Sequence, residues 1–147
     1  MEGKNDSILN RAKVLAQLYD SDDLHAVTLL ILYDLGMPLN CSGFDYLKNI
    51  IPIAAERPSQ IILTEIFSEA EDCYDLKCGY NAMDSAVRDV IKKAWADRLY
   101  NDWNCYIPNH ILRRSKPPSN VEFIAAMAYF LEMWQGCCKG DAYAKHK

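Results

Sequence analysis

Apolar residues recur along this chain every three to four positions, which is the spacing of one face of an α-helix. The first stripe follows Asp6-Ser7, which is predicted to cap its helix, and consists of Ile8, Ala12, Leu15 and Tyr19. The acidic run 20–23 ends this pattern and is predicted to cap a second helix, roughly 23–35. Gly36 and Pro38 mark the end of that helix.

The next two stretches also begin at polar residues and contain proline breaks. Ser42 with Asp45 resembles a capping box, and the helix that it opens meets Pro52, where we expect a kink or an early end. Ser59 is predicted to cap a further helix over 59–75. The apolar residues of these two helices are Phe44, Leu47, Ile50, Ile51, Ile62, Leu63, Ile66, Phe67 and Ala70.

A short turn centred on Gly79 leads into a helix predicted over 81–97, with Asn81 and Asp84 at its start. Its core face consists of Met83, Val87, Val90, Ile91, Ala94 and Trp95. Two helices joined by a short glycine turn are typical of a helix-turn-helix, whose second helix enters the DNA major groove. The pattern therefore indicates a recognition helix.

A short segment around 100–106 and an irregular stretch over 107–118 separate this helix from the last one. Ser119 and Glu122 form a clean capping box, and Gly136 is predicted to end the helix. The last helix is apolar over more than one face, and the excess predicts a two-fold contact between copies, through Met127, Tyr129, Phe130, Met133 and Trp134. No period-two pattern occurs, so the sequence predicts an all-α fold.

Composition narrows the function. The 147 residues fit one domain, and no apolar run approaches the ~20 residues of a membrane span, so we expect a cytoplasmic protein without membrane contact. The net charge of −4 argues mildly against DNA binding, unless a local basic patch makes one face of the protein positive.

A zinc site formed by Cys73, Cys78 and Cys105 is conceivable, but we favour reduced thiols without a metal. We expect no metal and no cofactor, and no enzyme motif is present.

Three segments of the sequence together resemble a known protein family. They are residues 35–38 with residues 43–47 shortly after them, the helix that ends in Ala94-Trp95, and residues 116–125. In this order they resemble the C-terminal effector domain of the stage-zero sporulation master regulator of endospore-forming Firmicutes. The resemblance implies a six-helix domain over 23–136, with the helix-turn-helix at 59–75 and 81–97. It also implies dimeric DNA binding under a phosphorylated receiver domain. Here residues 1–22 are instead predicted to form one extra helix, and 137–147 a short tail.

The expected DNA-binding residues lie on the recognition helix and in the loop before the last helix. They are Asn81, Asp84, Ser85, Arg88, Asp89 and Lys92 on the helix, and Arg113, Arg114 and Lys116 for phosphates in the loop. The family pattern has arginine at the positions of Ala82, Ser85 and Arg88 and histidine at that of Asp89, and of these four positions this chain keeps only Arg88. The alternative is a solvated helix face on which Asp84 pairs with Arg88, and Asp89 with Lys92 or Lys93.

Two functions follow. The first is a DNA-binding transcription regulator with weakened or altered recognition. The second is a protein-interaction module that keeps the scaffold without the reading face and acts as antagonist or partner of another regulator. Its partner would bind the acidic helix 59–75, which carries Glu65, Glu69, Glu71, Asp72 and Asp75.

Overall fold

The computed structural model describes residues 4–57, 61–74 and 79–140, and every regular element in these ranges is an α-helix. The all-α prediction is therefore confirmed. Within the same ranges no helix is both long and apolar enough to cross a membrane. The helices are α1 (Lys4–Leu18), α2 (Leu24–Asp34), α3 (Ser42–Ala55), α4 (Leu63–Tyr74), α5 (Tyr80–Ala96), α6 (Tyr100–Trp103), α7 (Asn109–Leu112) and α8 (Asn120–Cys138).

Helix α3 lies at the centre of the domain and packs against α2, α4, α5 and α8. Its apolar positions join those of its neighbours in one continuous core. The single-turn helix α6 completes this core with Trp103, whose indole N–H donates to the carbonyl of Leu35 at 3.0 Å. Trp103 also packs edge-on against Trp95 at 5.6 Å between ring centroids. Trp95 and Trp134 are both buried, as core residues would be.

Helix α1 belongs to the same core, because Ile8, Ala12 and Leu15 are buried where α1 packs along α8. Helix α8 also packs against α3 and α5, and most of the apolar excess that predicted a two-fold contact through the last helix is buried inside the domain. Of the five residues behind that prediction, only Tyr129 is exposed, and the buried four are Met127, Phe130, Met133 and Trp134. The structure therefore supplies little free apolar surface on α8 for a second copy.

Polar contacts fix α1 to the rest of the domain. The Arg11 guanidinium lies 3.7 Å from the Asp34 carboxylate and above the ring of Tyr106. The Tyr106 hydroxyl donates to Asp34 at 2.6 Å. Burial, and then the bond to Asp34, raise the pKa of Tyr106 well above its ordinary value, so the phenol stays a donor. The Asn104 amide donates to the Ser7 hydroxyl at 3.2 Å.

Several predicted helix ends are wrong. Helix α1 begins before Asp6-Ser7, and the N-cap of α3 is Cys41, without the side-chain bond expected of Ser42. Helix α3 also continues past Pro52 to Ala55, so an early end at the proline is wrong; the residues after it are buried, and their packing outweighs the lost backbone bond.

The last helix passes through Gly136, which is buried, and ends at Cys138. The glycine that stops it is Gly140, with φ +66° directly after the C-cap, where a left-handed residue is favoured. The predicted cap Ser59 lies outside the described residues, but residues 61 and 62 are not helical and α4 begins at Leu63, so the predicted start of the helix 59–75 is wrong.

Candidate nucleic-acid interface

Helix α5 is oriented as its periodicity predicts. All six residues of its predicted core face are buried, namely Met83, Val87, Val90, Ile91, Ala94 and Trp95. The opposite face is exposed at Asn81, Ala82, Ser85, Arg88, Asp89 and Lys92. One half of the helix therefore belongs to the core, and the other half is presented to solvent.

One flank of α5 rests on the N-terminus of α3. Gly43 approaches the α5 backbone so closely that a Cβ there would lie 2.2 Å from the carbonyl oxygen of Ala86 and 2.8 Å from Cγ1 of Val90. Further along, the Lys93 ammonium donates to the thiol sulfur of Cys41 at 3.6 Å. Only glycine fits this approach without moving one of the two helices.

The other flank of α5 is bonded to the first turn of α8. The Asn120 amide nitrogen donates to the backbone carbonyl of Asp84 at 3.0 Å and to its carboxylate Oδ1 at 2.8 Å. The second carboxylate oxygen of Asp84 accepts from the guanidinium of Arg88. Asn120 is 7% exposed. The sequence marked Asn120 only as part of a capping motif, and nothing local indicated its contact with α5.

The N-terminus of α5 is held by α4. The backbone N–H of Gly79, at φ +82°, donates to Oε2 of Glu71 at 2.7 Å, and the rings of Phe67 and Tyr80 lie 5.1 Å apart. Glu71 therefore satisfies a free backbone donor at the start of the recognition helix.

The other acidic residues of the predicted helix 59–75 have different surroundings. Glu69 forms an ion pair with Arg57 at the end of α3. Glu65 and Asp72 are exposed on α4, and Asp75 lies outside the described residues.

A groove runs between α5 and the segment that leads into α8. Arg88 and Lys92 line it from α5, and Lys116 lines it from the opposite side, next to Pro117 and Pro118. Within the described ranges no side-chain bond or ion pair occupies Lys92 or Lys116. The structure thus brings four of the predicted cationic residues to one groove, since Arg114 lines it as well.

The remaining loop cations differ from Lys116. Arg113 is exposed but does not line the groove. Arg114 lines the groove but donates from both terminal nitrogens to Glu122, at 3.0 and 2.8 Å. Glu122 also completes the predicted capping box, which is confirmed, by exchanging bonds with Ser119 at 2.9 and 3.2 Å. Arg114, followed by the backbone N–H of Ser119, lowers the pKa of Glu122 to about 2.

Of the predicted helix residues, Asn81, Ser85 and Asp89 are exposed on the same face as Arg88 and Lys92. Asp84 is different, because its carboxylate is bonded to the protein on both oxygens. The Asp84–Arg88 pair of the solvated-face alternative is present. The surface therefore combines exposed polar side chains with four groove cations, two of which are paired with groove carboxylates: Arg88 with Asp84, and Arg114 with Glu122.

The comparison with protein families agrees with this architecture. A family model described as sporulation initiation factor Spo0A C terminal matches residues 28–131. No significant match occurs among curated proteins or among solved structures. The matched range contains α3, α4 and α5 entire and most of α2 and α8. The chain therefore belongs to the family of the C-terminal, DNA-binding effector domain of the sporulation initiation factor Spo0A.

Proposed function

We propose that this protein is a transcription regulator that binds double-stranded DNA through the exposed face of α5 and the groove beside it, with recognition that is weaker than its family's or altered in sequence preference. The observation that carries the proposal is the joint placement of Arg88, Lys92 and Lys116 along one groove. A rigid, solvent-facing helix flanked by cations is the arrangement by which helix-turn-helix proteins enter the major groove.

The attachments of α5 support this proposal. The helix is fixed by α3 on one flank, by α8 on the other and by Glu71 at its start. None of these attachments covers its exposed face. A helix that is held firmly and left open on one side loses little conformational freedom when it binds a partner, so more of the contact energy contributes to affinity.

The charges support the weakened recognition. Ala82 and Ser85 are too short to reach base edges as arginine would, and Asp89 brings a negative charge to the phosphates. Each phosphate that a protein neutralises contributes about −0.9 to the slope of log K against log salt. If Arg88, Lys92 and Lys116 were all to contact phosphates, the slope would be about −3 per protomer, which is typical of modest affinity.

The test is a fluorescence-anisotropy titration of a 30-base-pair duplex of mixed sequence over a series of NaCl concentrations. We expect binding that weakens steeply with salt. Lys92→Ala with Lys116→Ala should flatten the slope by about 2, since two phosphate contacts are removed. Lys139→Ala is the matched control, because Lys139 is an exposed lysine at the far end of the 19-residue helix α8.

Two outcomes contradict the proposal. One is the absence of binding at low salt, where electrostatic association is strongest. The other is an equal loss of affinity in the groove variants and in Lys139→Ala, which would show that any surface cation contributes.

The second candidate function is a protein-interaction module, and the exposed acidic surface of α4 favours it. Thr64, Glu65, Ser68 and Asp72 lie together on that surface, beside the recognition helix. Glu65→Gln with Asp72→Asn separates the two functions. If DNA binds alongside α4, removing these charges raises the affinity for DNA. If the surface serves only a protein partner, the affinity for DNA is unchanged.

A further inference from the structure

We infer that Asp84 and Asn120 are positioning residues that hold Arg88 ready to read a guanine in the major groove. This inference rests on the proposed function. Asp84, which the sequence predicts to contact DNA, would instead orient Arg88. Asn120, which lies on α8, would hold Asp84 in place.

The first step is the immobilisation of Asp84. The amide nitrogen of Asn120 bonds both the backbone carbonyl and the carboxylate of Asp84, at 3.0 and 2.8 Å. Because both groups are acceptors, only the donor end of the amide can face them. Asn120 is itself buried in the first turn of α8. The carboxylate of Asp84 is thus fixed in position by a neighbouring helix, and its side chain is only 19% exposed.

The second step is the effect on Arg88. An exposed ion pair one helical turn apart usually contributes a few tenths of a kcal/mol, because both side chains remain mobile. Here Asp84 is held in place by Asn120, so the Arg88 guanidinium, although its side chain is 54% exposed, has a fixed orientation before any ligand binds. Supporting hydrogen bonds of this kind keep a recognition side chain in its productive geometry.

The third step concerns what Arg88 can contact. Its Nη2 group donates to Asp84, which leaves the other N–H donors of the planar fork free. A carboxylate beside the guanidinium repels a phosphate, whereas the O6 and N7 acceptors of guanine are uncharged and match the arginine fork. The arrangement therefore favours a base edge for Arg88, and leaves Lys92 and Lys116 for the phosphates.

The experiment begins with selection of duplexes by the full chain from a library with a 16-base-pair random core. We expect a guanine at one position of the selected sequences. Replacing that guanine by 7-deazaguanine, which lacks the N7 acceptor but keeps O6, should lower wild-type affinity about fivefold or more, because one of the two hydrogen bonds of a bidentate arginine–guanine contact is lost. Selection without a guanine, or no effect of 7-deazaguanine, overturns the inference.

The positioning role is tested by Asp84→Asn, which keeps the size of the side chain. We expect its preference for guanine over 7-deazaguanine to fall at least fivefold, while its affinity for the unselected library rises because a negative charge is lost. A purely structural role would not move these two quantities in opposite directions.

Asp97→Asn is the matched control, since Asp97 is an exposed acid at the C-cap of the same helix and does not line the groove. It removes one negative charge, as Asp84→Asn does, and should keep the full preference for guanine. Arg88→Lys keeps the positive charge but lacks the planar set of guanidinium donors. It should therefore lose the preference for guanine over 7-deazaguanine and keep the salt dependence of DNA affinity. Asn120→Ala should lower the preference for guanine as Asp84→Asn does, but without the rise in affinity for the unselected library, because it removes no charge; if that variant does not fold, as judged by circular dichroism, Asp84→Asn decides alone.

The outcomes distinguish the inference from the proposed function. If no duplex binds, both fail. If DNA binds and Arg88→Lys abolishes the guanine preference while Asp84→Asn retains it, the proposed function stands and the positioning role is wrong.

Discussion

The two flanks of helix α5 are attached by different means. Against α3 the contact is steric, since Gly43 lets the two backbones approach more closely than any side chain would allow. Against α8 the contact is polar, since Asn120 bonds the backbone and the carboxylate of Asp84. Both contacts hold the same helix, but they act on different parts of it.

This difference separates two requirements of a recognition helix. The steric contact at Gly43 sets where the axis of α5 lies relative to the core. The polar contact at Asn120 reaches a side chain of the exposed edge and, through it, Arg88. The first contact is expected to determine stability, and the second to determine both stability and the choice of ligand. The predictions below test this division.

Gly43→Ala has the largest expected effect. Alanine is the better helix former by up to about 1 kcal/mol, but its Cβ would overlap the Ala86 carbonyl, and overpacking of this kind costs about 1–3 kcal/mol or more. We expect a net loss of about 2 kcal/mol, measured by urea unfolding. Ser42→Ala, at the exposed neighbouring position, is the control and should change stability by less than about 0.5 kcal/mol. Equal effects of the two substitutions would show that the close approach is unimportant.

Asn120→Ala tests the polar flank. Hydrogen bonds to a charged group contribute about 1.5–3 kcal/mol, but the exposed Arg88 still neutralises Asp84, so we expect a loss near 1.5 kcal/mol. The control is Asn104→Ala, because the Asn104 amide donates at 3.2 Å to the uncharged Ser7 hydroxyl, away from α5. That substitution should cost about 1 kcal/mol or less. A smaller loss for Asn120→Ala than for Asn104→Ala, compared by urea unfolding, would contradict the importance of the α8 flank.

Much of α5 could be predicted from the sequence because its signals are local. Helical periodicity placed Met83 through Trp95 in the core, and the Ser119–Glu122 capping box was recognisable from four consecutive residues. Exposure of Arg88 and its pairing with Asp84 follow from the same spacing of four. The fold class and the α5 side of the candidate interface could therefore be predicted from the sequence.

The remaining features depend on contacts between distant segments. Asn120 and Asp84 are 36 positions apart, and Glu71 accepts from the backbone N–H of Gly79, eight positions further along the chain. The continuation of α3 through Pro52 likewise depends on burial that the local sequence does not encode. From the sequence, Asp84 is expected to contact DNA and Glu71 to bind a protein partner, whereas both hold the recognition helix in the structure.

Glu71→Ala tests the third attachment of α5, at its N-terminus. Removing the acceptor of the Gly79 N–H should cost about 1 kcal/mol, as the loss of a helix cap does. For a chain of this size we expect a Tm lower by about 2–4 °C in a thermal melt. Glu71→Gln retains an acceptor oxygen and should recover most of the loss. If both variants melted at the wild-type temperature, the attachment would contribute nothing.

The smallest effect concerns Glu122, which belongs to the α8 flank but does not touch α5. Its pKa in the folded protein is about 2, below the ordinary 4.5, so its ionised form stabilises the fold. This contribution is complete above about pH 4.5 and disappears as the pH falls through 2. Since the pair with Arg114 is partly exposed, Glu122→Gln should lower Tm at pH 7 by only about 2 °C or less.

The pH dependence makes this small effect measurable. The difference in Tm between wild type and Glu122→Gln should shrink between pH 4.5 and 2, because the wild-type carboxylate becomes protonated and then resembles the amide. Guanine preference should be unchanged in this variant, since Glu122 contacts Arg114 and Ser119 but neither Asp84 nor Arg88. A loss of that preference would show that the whole first turn of α8, and not Asn120 alone, positions the recognition helix.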